Sequence, residues 1–319
     1  MPVSEYVALG DSYAAGVGGG DERDTCWRAE EGYPVLVARA LGVDLAYDAC
    51  IGATTADVLR DQVGDLGPAT TYVTLTIGGN DLGFVPVLVS AAEPAWFTDS
   101  DTKIDAALRV LRTVLPGRLD QLYAAVREKA PDAKVVVAGY PRLFNGDDCS
   151  LLTFFSGHEM TRLDAAADEL SAAIRDASER AGFTYVDVRA RFRSHELCDD
   201  DSWLHGVSLP LQGSFHPKPP GHADYAEAVG AAFPKVDRTR AREPRITRGR
   251  ARRGSAPTFS LPDLMSRRSM AGAAAFGLDP DHVATLAGRA RLLPPDVTAQ
   301  EELQQLDADV AERRFSRPG

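Results

Sequence analysis

Ser12 follows a short apolar run, Tyr6-Val7-Ala8-Leu9, and opens a loop that holds Gly16, Gly18, Gly19 and Gly20. A hydroxyl at the C-terminal end of a buried strand is where open α/β sheets place their chemistry. A serine hydroxyl is a weak nucleophile and needs an adjacent base, most often histidine. His216, within Ser214-Phe215-His216-Pro217, is the candidate base, and Pro217 favours an extended or turn conformation there. Attack on a carbonyl builds negative charge on oxygen, which preorganised donors must meet. Gly52, in Ile51-Gly52-Ala53-Thr54, offers a backbone N–H with no Cβ in the way. Asn80, in Ile77-Gly78-Gly79-Asn80-Asp81, offers a side-chain amide, and the Ser12 N–H would be a third donor. Taken singly, each has a plain structural reading: Ser12 as a helix cap, Gly52 as a turn glycine, Asn80 as an Asx-turn residue and His216 as a loop histidine. Taken together they describe acyl transfer through a covalent serine.

With these flanks, beginning at Gly10-Asp11-Ser12, and in this order, the chain resembles the SGNH (GDSL) hydrolases, most nearly the extracellular lipases and esterases of actinomycetes. The resemblance covers about residues 4–234. It implies a three-layer α/β/α sandwich with a flavodoxin-like, five-stranded parallel sheet, hydrolysing carboxylic esters through an acyl-enzyme on Ser12. His216 would be general acid and base, with Ser12 N–H, Gly52 N–H and the Asn80 side chain as oxyanion hole.

One position departs from the family pattern. The aspartate usually found three residues before the histidine is Gly213 here. Some actinomycete relatives use a main-chain carbonyl two residues before the histidine, which would belong to Ser214. A carbonyl fixes tautomer and orientation but stabilises the imidazolium less than a carboxylate would. Asp224, or one of Asp199, Asp200 and Asp201, is the alternative orienting group. Carbohydrate acetylesterase, thioesterase and phospholipase A chemistry on the same fold stay open. So does a non-catalytic binding module on a degraded hydrolase, for which Gly213 is the argument. A P-loop is excluded at the Gly-rich segment because no Gly-Lys-Ser/Thr follows.

Strands are expected at 5–10, 45–50, 72–77, 134–139 and 184–188. Helical patterns fall between them at 30–41, 54–65, about 103–129 with a break at Pro116-Gly117, 157–181 closed by Gly182, and 221–232. Alternation of this kind gives right-handed crossovers and a parallel sheet, and gathers the four segments at its C-terminal edge. The loop after Asn80 is apolar (Leu82, Phe84, Val85, Pro86, Val87, Leu88, Val89). So are Leu143, Phe144, Leu151, Leu152, Phe154 and Phe155, and both stretches read as walls of an acyl-chain groove.

The chain has 319 residues and 44% hydrophobic composition, enough for one globular catalytic domain, placed at 1–234. Residues 235–253 carry nine basic against two acidic side chains, so a chain of net charge −11 has a basic patch of +7 on a body of −18. An acidic body argues against nucleic acid as a partner, and no apolar run approaches the roughly 20 residues that span a bilayer. Residues 235–262 read as a disordered basic linker. Residues 263–319 read as a short helical extension, with amphipathic stretches at 281–293 and 299–314, dispensable for the chemistry. The six histidines show no ligand spacing, so neither metal nor cofactor is expected. The expected partner is a small-molecule or lipid acyl ester, acted on by a monomer.

Cys26, Cys50, Cys149 and Cys198 fit neither a zinc site nor a redox motif, and four cysteines permit three pairings. The family resemblance implies Cys26–Cys50 and Cys149–Cys198, the outer two bridges of the extracellular relatives, with the middle one missing. Four reduced thiols are the alternative. The cysteines argue for export, while Met1-Pro2-Val3-Ser4 runs into the first strand with no signal peptide, as in a cytoplasmic protein. Export is the expectation.

Overall fold

Five apolar segments form strands where expected: β1 (Tyr6–Gly10), β2 (Leu45–Tyr47), β3 (Tyr72–Thr76), β4 (Lys134–Ala138) and β5 (Thr184–Val186). A sixth, β6 (Ile246–Arg248), corrects the expected count of five. The computed structural model describes residues 5–22, 24–233, 243–292, 294 and 296–315. Among the described residues the strands of this sheet pair in parallel, in the order β5-β4-β3-β1-β2-β6. Every residue of β1 is buried, as a parallel strand covered on both faces requires.

Helices cover both faces. They are α1 (Tyr33–Leu41), α2 (Thr55–Asp61), α3 (Phe84–Ala91), α4 (Ser100–Thr113), α5 (Leu115–Lys129), α6 (Gly157–Arg180) and α7 (Pro219–Ala231). Side chains alternate across a strand, so Tyr6 and Ala8 of β1 pack with Tyr33 of α1 and Tyr225 of α7. Val7 and Leu9 face the other way, towards Val58 of α2, Leu122 of α5 and Ile174 of α6. The result is the expected three-layer α/β/α sandwich.

Two local expectations change. The apolar stretch after Asn80 is a short 3-10 turn over Asn80–Leu82 followed by α3, rather than a loop. Pro86 lies in α3's first turn, where its missing N–H costs nothing. The helix expected at 103–129 breaks at Val114, two residues before Pro116, because Pro116 fits the first turn of α5.

The larger change is at the C-terminal end. Residues 235–242 of the expected linker lie outside the described residues, but 243–262 are not a linker. β6 extends the sheet in register with β2 (Leu45↔Ile246, Tyr47↔Arg248). Arginines in and beside it meet the acidic body: the Arg245 backbone N–H donates to Asp44 at 2.8 Å with its guanidinium 3.6 Å from the same carboxylate, and the Arg248 guanidinium reaches Glu30 at 3.1 Å. Beyond it, α8 (Arg267–Ala275), α9 (Pro280–Ala290) and α10 (Val297–Phe315) bury their apolar faces with Trp96, Phe97 and Phe154. The Trp96 indole donates to Ser269, and Asp307 accepts the Ala95 N–H. The amphipathic stretches, too short to make a core of their own, share one with the α3–α4 connection.

Candidate active site

The chain must turn sharply at the end of β1 to present Ser12. Gly10 has φ +129°, and a Cβ there would lie 2.1 Å from the Thr76 carbonyl oxygen, so only glycine fits. The Gln62 side chain clasps Gly10, accepting its N–H at 2.7 Å and donating to its carbonyl at 2.9 Å. Ser12 emerges 9% exposed, at the C-terminal edge of the sheet.

The Ser12 Oγ is 2.7 Å from His216 Nε2, and His216 Nδ1 is 2.9 Å from the Ser214 carbonyl oxygen. Nδ1–H donates to that carbonyl, which leaves Nε2 as the acceptor for the Ser12 hydroxyl. Burial lowers the imidazole pKa from 6.5 to about 4, opposed by the Ser214 carbonyl and reinforced by nearby His222 and His205. The ring is therefore neutral at pH 7 and able to take a proton. Tyr13 packs against it at 5.2 Å, and its hydroxyl donates to the Phe215 carbonyl.

Three of the four alternative aspartates have other partners. Asp224 is held by Arg191 at 2.6 and 2.7 Å, and Asp199 accepts from the Asn145 amide and the Glu196 N–H. The Asp201 carbonyl is hydrogen-bonded to His195 Nδ1. Among the described residues, none of Asp199, Asp200, Asp201 and Asp224 bonds to His216.

Gly52 follows the Cys26–Cys50 disulfide by two residues and has φ +75°. The second bridge is Cys149–Cys198, so both pairs are as the family resemblance implies. Among the described residues neither the Ser12 N–H nor the Gly52 N–H has an acceptor. Asn80 Nδ2 donates to the Ala53 carbonyl at 3.0 Å, which orients the amide and leaves its second hydrogen available. Next to it, Asp81 accepts the Thr55 N–H at 2.9 Å and the Thr55 hydroxyl at 2.7 Å. That ties the Asn80 turn to the start of α2, just after Gly52.

Ser12, Gly52, Asn80 and His216 line one cavity, whose walls include Leu82, Phe84, Leu88, Ile104, Leu108 and Leu163. Leu143 and Phe144 line it as expected, but Leu151, Leu152, Phe154 and Phe155 do not. Leu151 and Leu152 are exposed, and Phe154 joins the C-terminal core.

Two further residues shape the site, and one of them, Tyr140, is not evident from sequence. The Tyr140 hydroxyl donates to Asp11 Oδ2 at 2.5 Å, while Asp11 Oδ1 accepts the Tyr13 N–H. Burial raises the Asp11 carboxyl to about 7, and the Tyr140 bond opposes that rise. Asp11 is visible beside the serine, but Tyr140 reaches it only because β4 and β1 flank β3.

The model of the GDSL-like Lipase/Acylhydrolase family matches residues 8–223. The chain belongs to this family. This GDSL hydrolase is a serine-type carboxylic ester hydrolase. It is 38% identical over 231 residues to a lipase of Streptomyces rimosus, covering 70% of this chain and 84% of the relative. It is also 38% identical over 224 residues to Lipase 1 of Streptomyces coelicolor, covering 68% and 82%. Among solved structures, it resembles the extracellular lipase of Streptomyces rimosus with TM-score 0.68 and 36% identity, over 72% of this chain and 100% of that one. Phospholipase A1 of Streptomyces albidoflavus gives TM-score 0.67 and 37% identity, over 72% and 100%.

Proposed function

We propose that this GDSL hydrolase cleaves lipid-like acyl esters by a Ser12–His216 dyad. The observation that carries the reading is the 2.7 Å Ser12–His216 contact on the wall of an apolar cavity. His216 Nε2 takes the Ser12 proton as Oγ bonds to the ester carbonyl carbon. The tetrahedral oxyanion is met by the Ser12 N–H, the Gly52 N–H and the free hydrogen of the Asn80 amide. The imidazolium then protonates the departing alcohol oxygen, leaving an acyl-enzyme on Ser12. Water repeats the sequence: it gives a proton to Nε2 and bonds to the acyl carbon, and Ser12 departs with that proton as the acid is released. Throughout, the Ser214 carbonyl holds Nδ1–H and keeps the ring in place.

A serine fluorophosphonate probe, together with p-nitrophenyl esters from acetyl to long chains, tests this. Labelling and turnover should both disappear in Ser12→Ala, and labelling that persists in the variant would refute the assignment. A phospholipase A reading rests on one specific observation, the 37% identity to the Streptomyces albidoflavus enzyme. Release of fatty acid from phosphatidylcholine would establish it. Export of this chain is supported by the two disulfides, which persist in oxidising compartments, and by the extracellular Streptomyces rimosus relative. A monomer is sufficient for the chemistry, since one chain supplies all four site residues.

A further inference from the structure

The segment after β6 crosses the active-site edge of the sheet, beyond residue 223 where the family match ends. The Gly254 N–H donates to the Ile51 carbonyl at 2.9 Å, and the Ala256 N–H to the Gly52 carbonyl at 3.0 Å. Between them, the Ser255 N–H and hydroxyl both donate to Asp57, the residue that also closes the N-terminal cap of α2 with Thr54. The strap lies directly on the peptide that follows Gly52. A Cβ on Gly254 would sit 2.1 Å from the Gly52 carbonyl carbon and 2.2 Å from the Ala53 nitrogen. Pro257, Thr258 and Phe259 then enter the wall of the cavity that holds Ser12. Phe259 is buried, and its ring meets Phe215, next to His216, edge-on at 4.8 Å.

We infer that residues 254–259 are a working part of the acyl site, the backbone positioning Gly52 and Phe259 selecting which acyl groups fit. Two independent contacts point the same way. A strap that merely covered the surface would have no need of a glycine pressed against the Gly52 peptide, nor of an aromatic ring inside the cavity. Gly254 and Ser255 are positioning residues, acting through Gly52. Phe259 acts on the substrate directly, by occupying volume beside the acyl chain. The inference rests on the proposed role of Gly52 and of the cavity.

The test uses the full-length enzyme and two substrates, p-nitrophenyl acetate and p-nitrophenyl octanoate. The ratio of their kcat/KM values cancels any difference in folded fraction between preparations. Phe259→Ala should change that ratio in favour of octanoate on the order of tenfold, the scale at which a hydrophobic pocket discriminates small differences in apolar bulk. Gly254→Ala should lower kcat on the order of 10- to 100-fold for both substrates with KM little changed, because the oxyanion donor is displaced. If Gly254→Ala does not fold, Ser255→Ala replaces it, with a several-fold fall in kcat expected. A ratio unchanged within twofold in Phe259→Ala overturns the inference, as does wild-type kcat in Gly254→Ala or, in its place, Ser255→Ala. Those results, in an enzyme that still labels with fluorophosphonate at Ser12, would leave the dyad intact. A wild-type enzyme that neither labels nor turns over would overturn both.

Discussion

In the proposed dyad His216 must be neutral to take the Ser12 proton, and burial holds its pKa near 4. Because the folded value lies below the ordinary 6.5, the neutral ring contributes stability that is complete above pH 6.5 and is lost as pH falls through about 4. The acid limb of kcat/KM should therefore be centred near pH 4, and a limb near 6.5 would mean that solvent reaches the ring in the working enzyme. Asn80→Ala should lower kcat on the order of 10²–10³ with KM little changed; a change confined to KM would make Asn80 a ground-state contact. Gly213 was the residue that cast doubt on catalysis. It is outside the positive-φ region, and a Cβ would meet only the Ser208 side chain, its hydroxyl at 2.9 Å. Gly213→Asp should fold and keep most of the activity, whereas a loss comparable to that of His216→Ala would show that the Ser214 carbonyl cannot share its task. The four residues that meet in the cavity could be picked out beforehand because each carries distinctive neighbours at a strand end or loop. Tyr140 could not, since nothing local to Gly139-Tyr140-Pro141 announces an aspartate 129 residues away.

At the scale of elements, the sheet's C-terminal edge works only if the turn after β1 is held. Gln62 at the end of α2 does this through two buried hydrogen bonds to Gly10. Gln62→Ala would orphan the buried Gly10 N–H, at a cost of about 1–3 kcal/mol, while the Gly10 carbonyl would keep the Cys50 N–H at 3.0 Å. The variant's denaturation midpoint should fall and kcat with it; an unchanged midpoint would show that water replaces the clasp. The same distinction explains which elements could be read from sequence. Strands β1 to β5 are apolar runs with turn residues on either side, a signal contained within the strand. Strand β6 is Ile246-Thr247-Arg248 among arginines, and its reasons for being a strand lie elsewhere, in the open edge of β2 and in Asp44 and Glu30. Helix α3 was hidden for another reason. Its run Phe84-Val85-Pro86-Val87-Leu88-Val89 has no polar face to give a period, and Pro86 reads as a breaker unless the helix start is known.

At the scale of the molecule, the question is where the functional unit ends. Sequence alone put the boundary at residue 234, where the family resemblance ends and the composition turns basic. The structure gives the later residues three tasks: β6 covers the edge of β2, the strap touches Gly52, and α8 to α10 bury Trp96, Phe97 and Phe154. The disulfides cannot stand in for these. They close loops between residues 24 and 49 positions apart within the first 200 residues, and stabilise by about 3–4 kcal/mol each in the chain-entropy model. Only Cys26–Cys50 meets the C-terminal segment, against Ala251, and neither bridge links that segment covalently to the sheet. A chain ended at Phe233 would bare an unpaired parallel edge and a cluster of large aromatic side chains, both of which promote association. We therefore expect the truncated protein to be poorly soluble, or to hydrolyse p-nitrophenyl esters at a small fraction of the full-length rate with weakened chain-length preference. Soluble yield, light scattering and the acetate-to-octanoate profile would decide it. A monodisperse truncated enzyme with the full-length profile would return the boundary to residue 234 and make everything beyond it a passenger.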